Sequence, residues 1–335
     1  MGRILGVAVV GLGVGEQHAL AYRQDGRCEL RWLYDLDGSR SDEVIARLGV
    51  GRKAEAWPQI LEDGAVDIVS IASFDDAHFA QVVDALRAGK HVFVEKPLCR
   101  SQAELDEVKE VWGRDPSRHL ASNLVLRAAP LYAWLRQAVQ NGEFGDVYAF
   151  DGDYLYGRLH KITGGWRHDV ADYSVMLGGG VHLVDLMLWT LGARPTAVAV
   201  AANRISTSGT GFSANDFTSA TFQFPGGLVG RITANFGCVH PHQHVVRVFG
   251  TRRTLLYDDA GPRLYDSRDP ARRPELPNLA PLPASKGDLI PGFIQSVLDG
   301  NRSGAQAQHE FDVISACVAA DRAAATPMTI PVEYV

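Results

Sequence analysis

The sequence predicts an α/β protein with a doubly wound parallel sheet in its first half and an open, mostly antiparallel sheet in its second half. Two observations predict this arrangement. Short apolar, β-branched segments at residues 4–10, 67–73 and 89–95 alternate with helical patterns, and strands that alternate with helices form parallel sheets. Later strand patterns follow one another across short turns such as Pro225-Gly-Gly227, which is typical of antiparallel pairing.

Length and composition limit the class of protein. The 335 residues exceed one ordinary core, so we expect two domains, residues 1–123 and 124–335. The net charge of −6, without a basic cluster, argues against nucleic acid as a partner. The four cysteines form no Cys-x-x-Cys pair, which favours neither zinc nor redox chemistry. No apolar run approaches the ~18 residues of a membrane span. With no signal-peptide pattern at the start, a cytoplasmic protein is expected.

The remaining elements follow from periodicity and turn residues. Helical patterns occupy residues 41–48, 102–112, 131–141, 289–298 and 309–324. Strand patterns occupy residues 29–34, 53–57, 119–125, 147–156, 196–202, 216–224, 228–236, 243–249 and 254–257. Residues 261–287 are rich in proline and arginine and are expected to form a surface loop.

A glycine-rich turn joins the first strand to the first helix and contains Gly11, Gly13, Val14 and Gly15. Glycines permit a tight turn and a close approach to a pyrophosphate, and the helix N-terminus offers N–H groups to the anion. The spacing Gly-x-Gly-x-Gly is one residue shorter than the usual dinucleotide-binding pattern, but the strand–turn–helix context supports the interpretation. We therefore expect these four residues to contact a dinucleotide.

Asp35 ends the second strand, 35 − 11 = 24 residues after Gly11. This separation is close to the ~20 residues expected for an acid that binds the adenosine ribose. A carboxylate accepts hydrogen bonds from ribose hydroxyls and repels a 2′-phosphate, so NAD is favoured over NADP. Arg40 lies nearby and keeps NADP open. The alternative for Asp35 is a turn residue in Asp-Leu-Asp-Gly.

The strand at residues 89–95 leads into Glu95-Lys96-Pro97. Ligands of doubly wound sheets bind outside the carboxyl ends of the strands, so Lys96 is expected beside the cofactor. Pro97 restricts Lys96 to an extended conformation. Ser73, at the end of the neighbouring strand, is a candidate cofactor contact, as are His78 and Glu95. His78 also fits a packing role, and Lys96 taken alone also fits a solvated strand end.

Together these features resemble the glucose–fructose oxidoreductase and inositol dehydrogenase family (Gfo/Idh/MocA). The resemblance rests on the Gly-x-Gly turn with His18, on Asp35, on the strand at 67–73 and on the Glu-Lys-Pro element, its most specific marker. It covers nearly the whole chain. It implies an NAD(P)-binding Rossmann domain and a C-terminal domain that binds substrate and forms a homodimer or homotetramer through its sheet. It also implies a cis bond between Lys96 and Pro97.

A buried helix is predicted after the glycines at residues 178–180, because the sequence there is apolar on nearly all sides. His182 and Asp185 lie on one face of this helix, at i and i+3. Buried ionisable groups need partners. A core pair that satisfies itself is one interpretation, and a site beside a cofactor is the stronger one. The resemblance to the family, whose pattern here is His-x-x-Asp, implies that Asp185 orients the substrate or His182.

The family resemblance assigns roles to this region. It implies that His182 is the general acid/base and that Lys96 is its catalytic partner. Many family members have an aspartate four residues before this histidine, whereas this chain has Gly178. Asp172 and Tyr173 are the candidates to replace that acid.

A second group of candidate substrate contacts follows the strand at 147–156. Arg158, Lys161, Trp166 and Arg167 lie in a glycine-bearing segment. Aromatic side chains stack on sugar rings, and arginines bind carboxylates or phosphates. The pattern resembles family members that act on nucleotide-linked sugars, especially amino-sugar uronates. A solvated cationic loop is the alternative.

His240, His242 and His244 alternate along a predicted strand, so their imidazoles would share one face. Three imidazoles on one face are a possible zinc site. The resemblance argues against this interpretation, because the family's sheets hold no metal at that place. No metal site is therefore expected.

The expected function is an NAD(P)-dependent oxidoreductase that transfers hydride between nicotinamide and a carbinol carbon of a sugar, with a nucleotide-linked sugar or uronate as the finer expectation. His182 would exchange the hydroxyl proton, and Lys96 would stabilise negative charge on the same oxygen. Two alternatives stay open. One is a non-catalytic nicotinamide-binding sensor, and the other is a redox-neutral enzyme with tightly bound NAD.

Overall fold

A computed structural model describes residues 3–170, 172–300 and 304–335 of the chain. These residues divide into two compact units. The first unit contains residues 3–125, 283–300, 304–311 and 335, and the second contains residues 126–170, 172–282 and 312–334. The boundary expected from the sequence lies near residue 123, with one continuous second half. In the structure, the segment that begins at residue 283 returns to the first unit.

The first unit contains a six-stranded sheet in which every pair is parallel. Its strands are β1 (Leu5–Val10), β2 (Cys28–Tyr34), β3 (Arg52–Lys53), β4 (Ile68–Ile71), β5 (His91–Val94) and β6 (Leu120–Ser122). The spatial order is β3-β2-β1-β4-β5-β6. The chain winds outward from β1 in one direction and from β4 in the other, so the topological switch point lies between these two strands. The predicted doubly wound sheet is confirmed.

Five helices alternate with these strands: α1 (Gly15–Gln24), α2 (Gly38–Leu48), α3 (Trp57–Glu62), α4 (His78–Arg87) and α5 (Gln102–Arg114). Helix α2 begins three residues before the predicted Ser41, because the Asp37 side chain caps it by accepting the Ser39 N–H at 3.0 Å. Gly49, with φ 68°, ends the same helix.

The second unit contains an eight-stranded sheet in the order β13-β12-β11-β7-β10-β9-β8-β14. Its strands are β7 (Val147–Leu155), β8 (Ala197–Asn203), β9 (Phe217–Gln223), β10 (Val229–Asn235), β11 (Gln243–Gly250), β12 (Thr254–Asp258), β13 (Gly261–Tyr265) and β14 (Ile330–Pro331). The pair β7 and β10 is parallel, and the other pairs are antiparallel. The predicted mostly antiparallel sheet is confirmed.

The later helices are α6 (Pro130–Gln140), α7 (His160–Thr163), α8 (Trp166–Asp169), α9 (Val181–Leu191), α10 (Ile290–Asp299) and α11 (Gly304–Ala324). A π-helical turn, Met176–Gly180, leads directly into α9. Helix α10 belongs to the first unit, where Ile290 and Phe293 join the core that includes Leu12 and Phe93. Helix α11 contributes residues 304–311 to the first unit and 312–324 to the second.

Two short strands differ from the sequence expectation. Strand β13 lies within residues 261–287, which were predicted to form a surface loop, and β14 was not predicted. Each is an edge strand of the second sheet and contains a proline, Pro262 or Pro331. Proline lacks an N–H donor and is tolerated in edge strands. Because a proline usually argues against a strand, neither strand was predicted from the sequence.

Helix α9 packs closely on the second sheet. A Cβ atom on Gly152 of β7 would lie 3.0 Å from Ile232 Cδ1 and 3.3 Å from Leu183 Cβ. Glycine at this position therefore brings β7 against α9, whose side chains from Val181 to Leu188 are all buried. In the described part of the chain, no helix is long and apolar enough to cross a membrane.

Candidate active site

The glycine turn brings the carboxyl ends of β1 and β4 together. Gly11 has φ 79°, and a Cβ atom there would lie 2.5 Å from both the Ala72 carbonyl oxygen and the Ser73 amide nitrogen. This approach requires glycine. A Cβ atom on Gly15 would lie 3.1 Å from Ala72 Cβ, so Gly15 lets α1 begin close to the sheet. For Gly13, which is exposed, no heavy atom of the described residues other than its own and its two chain neighbours' lies within 4 Å of an added Cβ atom.

The short spacing of this turn has a local explanation. Val14 already has helical dihedrals, φ −72° and ψ −30°, so α1 begins at Gly15. Gly11 supplies the turn and Gly15 supplies the close packing, with one residue fewer between them than in the usual pattern. The N-terminus of α1 therefore faces open space at Gly13, which suits a pyrophosphate.

Asp35 and Arg40 both hold the glycine turn through the backbone of Leu12. Asp35 Oδ2 accepts the Leu12 N–H at 2.6 Å, and Asp35 Oδ1 accepts the Asp37 N–H at 3.0 Å. Arg40 Nε donates to the Leu12 carbonyl at 2.9 Å. Each carboxylate oxygen has a second lone pair, so Asp35 keeps acceptor capacity for a ribose hydroxyl. This chemistry fits a dinucleotide, and the nearby Arg40 leaves NAD and NADP undistinguished.

A buried polar network lies beneath the end of β5. The fully buried His18 ring pairs with Ser70 Oγ at 3.0 Å through Nδ1 and with Glu95 Oε1 at 3.3 Å through Nε2. Asn123 Nδ2 donates to Glu95 Oε1 at 2.7 Å and to the Lys286 carbonyl at 2.8 Å. The four side chains belong to α1, β4 and the ends of β5 and β6, and Lys286 lies before α10, so the network ties the switch-point edge of the sheet to that later segment.

The Glu95 carboxyl is held ionised by this network. Burial raises its pKa, but hydrogen bonding and charge from His18, the charge of Lys96 and the Asn123 amide outweigh burial and lower the pKa to about 2. A negative charge therefore sits directly before Lys96 in the chain. The Lys96 amide nitrogen also donates to Glu95 Oε2 at 3.3 Å.

His78 joins the two segments that follow β4 and β5. Its ring is fully buried, with Nδ1 2.7 Å from the Pro97 carbonyl and Nε2 3.1 Å from the Ser73 carbonyl. His78 therefore reaches the predicted cofactor edge through two backbone groups. The Ser73 hydroxyl donates to Gln81 Oε1 at 2.6 Å. The Lys96–Pro97 peptide bond is cis, as the family resemblance implied.

His182 lies on α9 against the rings of the second sheet, and it is 8% exposed. Its ring stacks on Tyr154, with centroids 6.3 Å apart, and meets the His244 ring edge to face at 5.9 Å. Tyr154 and His244 are direct partners in the antiparallel pair of β7 and β11. The sheet therefore presents an aromatic surface to the predicted acid/base residue.

The glycines before His182 allow this contact. A Cβ atom on Gly179 would overlap the Tyr154 ring and lie 2.8 Å from Phe236 Cε2, and one on Gly180 would lie 2.5 Å from Met176 Sδ. The π-helical turn therefore packs directly on the rings, as only glycine permits. π-Helical turns are rare in proteins, and those that occur often lie at functional sites.

Asp185, the other predicted member of this helix face, is bound by Arg127. Arg127 Nε donates to both carboxylate oxygens at 3.0 Å, and Nη2 donates to Oδ1 at 2.5 Å. Asp185 is fully buried, and the Arg127 side chain is 13% exposed. Three hydrogen bonds from one guanidinium to a buried carboxylate make a strong contact, so this ion pair anchors α9 one turn after His182.

The four candidates between residues 158 and 167 differ in exposure. Arg158 and Lys161 are exposed, and the Arg158 guanidinium lies 5.7 Å from the centre of the Tyr156 ring. Trp166 and Arg167 are partly buried on α8, with the guanidinium 4.4 Å from the Trp166 ring centre. This arrangement offers cations and an aromatic ring to a ligand.

Of the three histidines at 240–244, His240 pairs with an acid, and His242 and His244 pack on each other. The His240 ring lies 3.1 Å from Asp259 Oδ2, whereas His242 and His244 have ring centroids 5.0 Å apart at an angle of 74°. His242 Nδ1 lies 3.1 Å from the Leu155 carbonyl. Among the described residues, no group of three or more histidine, cysteine, aspartate or glutamate side chains is arranged to hold a metal ion.

Three residues of this region were not predicted as site residues: Asn123, Arg127 and Tyr154. His242 and His244 were considered only as zinc ligands. Asn123 follows the carboxyl end of β6, so its position in a parallel sheet was a usable signal. Tyr154 and His244 carried a weaker signal, because the alternation of their strands placed each on a definite face. Arg127 carried none, since its partner Asp185 lies 58 residues away in the chain.

Two family models match the chain. Residues 5–118 match the oxidoreductase family with an NAD-binding Rossmann fold (GFO/IDH/MocA), and residues 132–256 match the GFO/IDH/MocA C-terminal domain. An oxidoreductase of Rhizobium meliloti is 30% identical over 66% of this chain and 63% of its own length. The 1,5-anhydro-D-fructose reductase of Ensifer adhaerens is 29% identical over 50% of this chain and 51% of its own length. The chain thus spans less than two thirds of these two relatives.

Further similarity extends to inositol and sugar dehydrogenases. The myo-inositol 2-dehydrogenase of Thermotoga maritima is 25% identical over 76% of this chain and 75% of its own length. A levoglucosan dehydrogenase in complex with NADH superposes with a TM-score of 0.86 over 99% of this chain and 100% of its own, at 20% identity. The myo-inositol 2-dehydrogenase from Lactobacillus plantarum superposes with a TM-score of 0.83 over 99% of this chain and 100% of its own, at 18% identity. At these identities the superpositions show the fold.

Proposed function

Because the chain belongs to the Gfo/Idh/MocA family of oxidoreductases, we propose that it is an NAD(P)-dependent dehydrogenase or reductase acting on a CH–OH group of a sugar. One observation carries the proposal. The N-terminus of α1 faces open space at Gly13, and Asp35 is bonded to the same turn. Residues 11–15 would hold the pyrophosphate, and Asp35 with Arg40 would contact the adenosine ribose.

The bound nicotinamide would accept or supply the hydride, and the protein would position the reacting groups. We assign His182 to proton exchange with the substrate hydroxyl, since an imidazole titrates near neutral pH. We assign Lys96 to the stabilisation of negative charge on a substrate oxygen. The ionised Glu95 lies directly before Lys96 in the chain, which supports this role because it brings an opposite charge to the same turn.

The finer substrate proposal is a sugar with an anionic group, such as a nucleotide-linked sugar or a uronate. The exposed Arg158 and Lys161 and the partly buried Arg167 support it. Trp166 would stack on a sugar face. Asp185 is fully buried and bound by Arg127, so we propose that it acts on the substrate by fixing α9.

The first test is a spectrophotometric assay for reduced nicotinamide, with NAD or NADP and a panel of polyols, free sugars, uronates and nucleotide-linked sugars. Turnover of one sugar class supports a dehydrogenase. Bound NADH without turnover of any substrate moves the assignment to a nicotinamide-binding sensor. Cofactor that stays bound through purification, with no net redox change, moves it to a redox-neutral enzyme.

His182→Ala tests the proton-exchange role once a substrate is known. We expect kcat to fall by about 10²-fold or more with NADH affinity retained, because general acid–base catalysis contributes about that much. His91→Ala is the matched control, since His91 is a partly buried histidine at the amino end of β5. Unchanged kcat in His182→Ala would remove the assignment.

A further inference from the structure

The space beside Gly178 is filled by the side chain of Tyr173. A Cβ atom on Gly178 would overlap the Tyr173 hydroxyl, and it would lie 2.7 Å from Cζ and 3.2 Å from Cε1 of the same ring. Tyr173 is 6% exposed. The phenol therefore takes the volume that any side chain at residue 178 would occupy.

That volume lies one helical turn before His182. Residues four apart project from the same side of a helix, and residue 178 precedes His182 by four positions in the continuous π- and α-helical segment. The Tyr173 hydroxyl thus stands where a side chain at 178 would flank the proposed acid/base residue. Tyr173 and Asp172 were the two candidates that the sequence offered for this place, although Tyr173 is nine residues from His182 in the chain.

Arg167 and neighbouring rings define the orientation of this hydroxyl. Arg167 Nε donates to Tyr173 Oη at 3.0 Å. The Tyr173 ring meets Trp166 at 6.4 Å, Phe212 at 6.1 Å and Phe236 at 6.3 Å, each edge to face. An oxygen that accepts from a guanidinium directs its own hydrogen toward another acceptor.

Tyr173 and Arg167 also determine the charge in the space beside Gly178. A carboxylate at residue 178 would bring a negative charge, whereas Tyr173 with Arg167 brings a neutral hydroxyl and a positive charge. Residues 158–173 contain three cations, Arg158, Lys161 and Arg167, and two acids, Asp169 and Asp172, so the formal charge is 3 − 2 = +1. Both acids are exposed, and Asp169 Oδ1 lies 3.2 Å from His168 Nδ1.

We propose that Tyr173 and Arg167 form a substrate-binding pair beside His182, in which the Tyr173 hydroxyl hydrogen-bonds a sugar hydroxyl and Arg167 selects sugars that carry a carboxylate. The inference rests on the proposed sugar oxidoreductase function and names the residues that set its substrate class. Arg167 has two tasks, because it positions the Tyr173 hydroxyl and supplies the positive charge.

Thermal stability tests whether the Tyr173 hydroxyl occupies the space beside Gly178. Gly178→Ala should lower Tm by roughly 5 °C, because the added methyl group overlaps the Tyr173 phenol. In a Tyr173→Leu background, which removes the phenol end, the same substitution should lower Tm by roughly 1 °C. Equal effects of Gly178→Ala in both backgrounds would overturn the inference, with no dependence on any activity.

The substrate role is tested with matched ligands. Binding of UDP-glucuronate and UDP-glucose, and of D-glucuronate and D-glucose, is measured by calorimetry on the NADH-bound protein. In each pair the two sugars differ only in the C6 carboxylate. We expect the wild type to prefer the acid by about tenfold or more, since a charge-assisted bidentate contact is strong. Arg167→Gln should abolish the preference, while Tyr173→Phe should weaken both sugars severalfold.

Arg272→Gln is the charge-matched control, because Arg272 is exposed and paired with Asp266 elsewhere in the second unit. It should leave both affinities unchanged. A carboxylate preference that survives Arg167→Gln, or NADH binding with no binding of either acid, would overturn the inference and leave the oxidoreductase proposal standing. Failure of the wild type to bind NADH would instead overturn the proposed function.

Discussion

At the scale of single residues, the molecule concentrates buried polar groups at the two predicted sites. Glu95 contacts His18 and Asn123, and Asp185 contacts Arg127. A buried charge without a partner is costly, so such groups persist in a core when partners are provided. The partners of Glu95 come from α1 and from the end of β6, and they fix the residue directly before Lys96.

Glu95→Gln should reduce stability in a pH-dependent way. The folded state lowers the pKa of Glu95 from 4.5 to about 2, so its ionised form contributes stability above pH 4.5 that is lost as the pH falls toward 2. The shift sets a ceiling of about 3 kcal/mol, and partial solvent contact lowers this to about 2 kcal/mol. Urea denaturation should show that deficit at pH 7 and a smaller one near pH 3.

The control for this experiment is Glu16→Gln. Glu16 is a partly exposed acid on α1 that pairs with Arg47. Surface ion pairs contribute little, so its substitution should change the free energy of unfolding by less than about 1 kcal/mol at either pH. A deficit for Glu95→Gln that stays constant from pH 7 to 3 would show that its charge does not support folding.

At the scale of elements, the carboxyl edge of the first sheet is assembled from three turns. The glycine turn follows β1, the Ser73 segment follows β4, and Lys96 follows β5. Leu12 is held by Asp35 and Arg40, and His78 ties the Ser73 and Pro97 carbonyls. The positions of these turns relative to one another therefore depend on two partly buried side chains, Asp35 and Arg40, and on the buried His78.

Gly13→Ala separates cofactor binding from folding. An added methyl group meets no described atom within 4 Å, so Tm should stay within about 1 °C, while a methyl group in the dinucleotide space should weaken NADH binding about tenfold or more. Fluorescence titration with NADH measures the affinity. Gly26→Ala is the matched control, because its Cβ atom also meets open space and lies before β2. Equal NADH affinity in both variants would place the cofactor elsewhere.

His78→Ala tests whether the tie between the two turns positions the cofactor edge. Loss of both carbonyl contacts should weaken NADH binding about tenfold, because small displacements of binding groups are costly. His119→Ala provides the comparison, since His119 is a buried histidine of the same unit at the amino end of β6. It should lower Tm without a change in NADH affinity. If both variants lost the same NADH affinity, His78 would have only a packing role.

At the scale of the whole molecule, the second sheet offers two different faces. One face is covered by α9, which packs at Gly152. On the other face, Arg231 bonds Asp151 at 3.0 Å and Arg247 bonds Asp153 at 2.9 Å. In these pairs each charged side chain is bound to one of opposite charge within the same face, and the neighbouring side chains are small. Such a face can pack against the same face of a second copy of the chain.

We expect this face to form a homodimer or homotetramer. Light scattering coupled to gel filtration measures the mass, and Ala199→Arg should shift the protein toward the monomer, because Ala199 is a small residue of β8 in the same sheet. Leu276→Arg is the control, since Leu276 is an exposed apolar residue outside the sheet. A monomeric wild type, or an unchanged mass in Ala199→Arg, would exclude self-association through this face.

The sequence by itself determined the doubly wound sheet, the mostly antiparallel second sheet and the family. Local patterns carry these features, because glycine turns, apolar strands and capped helices depend on neighbouring residues. Parallel topology also places the ends of β2, β4 and β5 at one edge, so Asp35, Ser73 and Lys96 could be predicted there from their positions alone.

Only the tertiary structure determined which side chains contact each other at the candidate site. Arg127 meets Asp185 across 58 residues, and Asn123 meets Glu95 across 28. The Tyr173 phenol fills the space at Gly178 because a π-helical turn brings glycine against the rings. No local pattern encodes such pairs, since each depends on how separate elements pack. The edge strands β13 and β14 were hidden for the same reason, because their identity comes from pairing with β12 and β8.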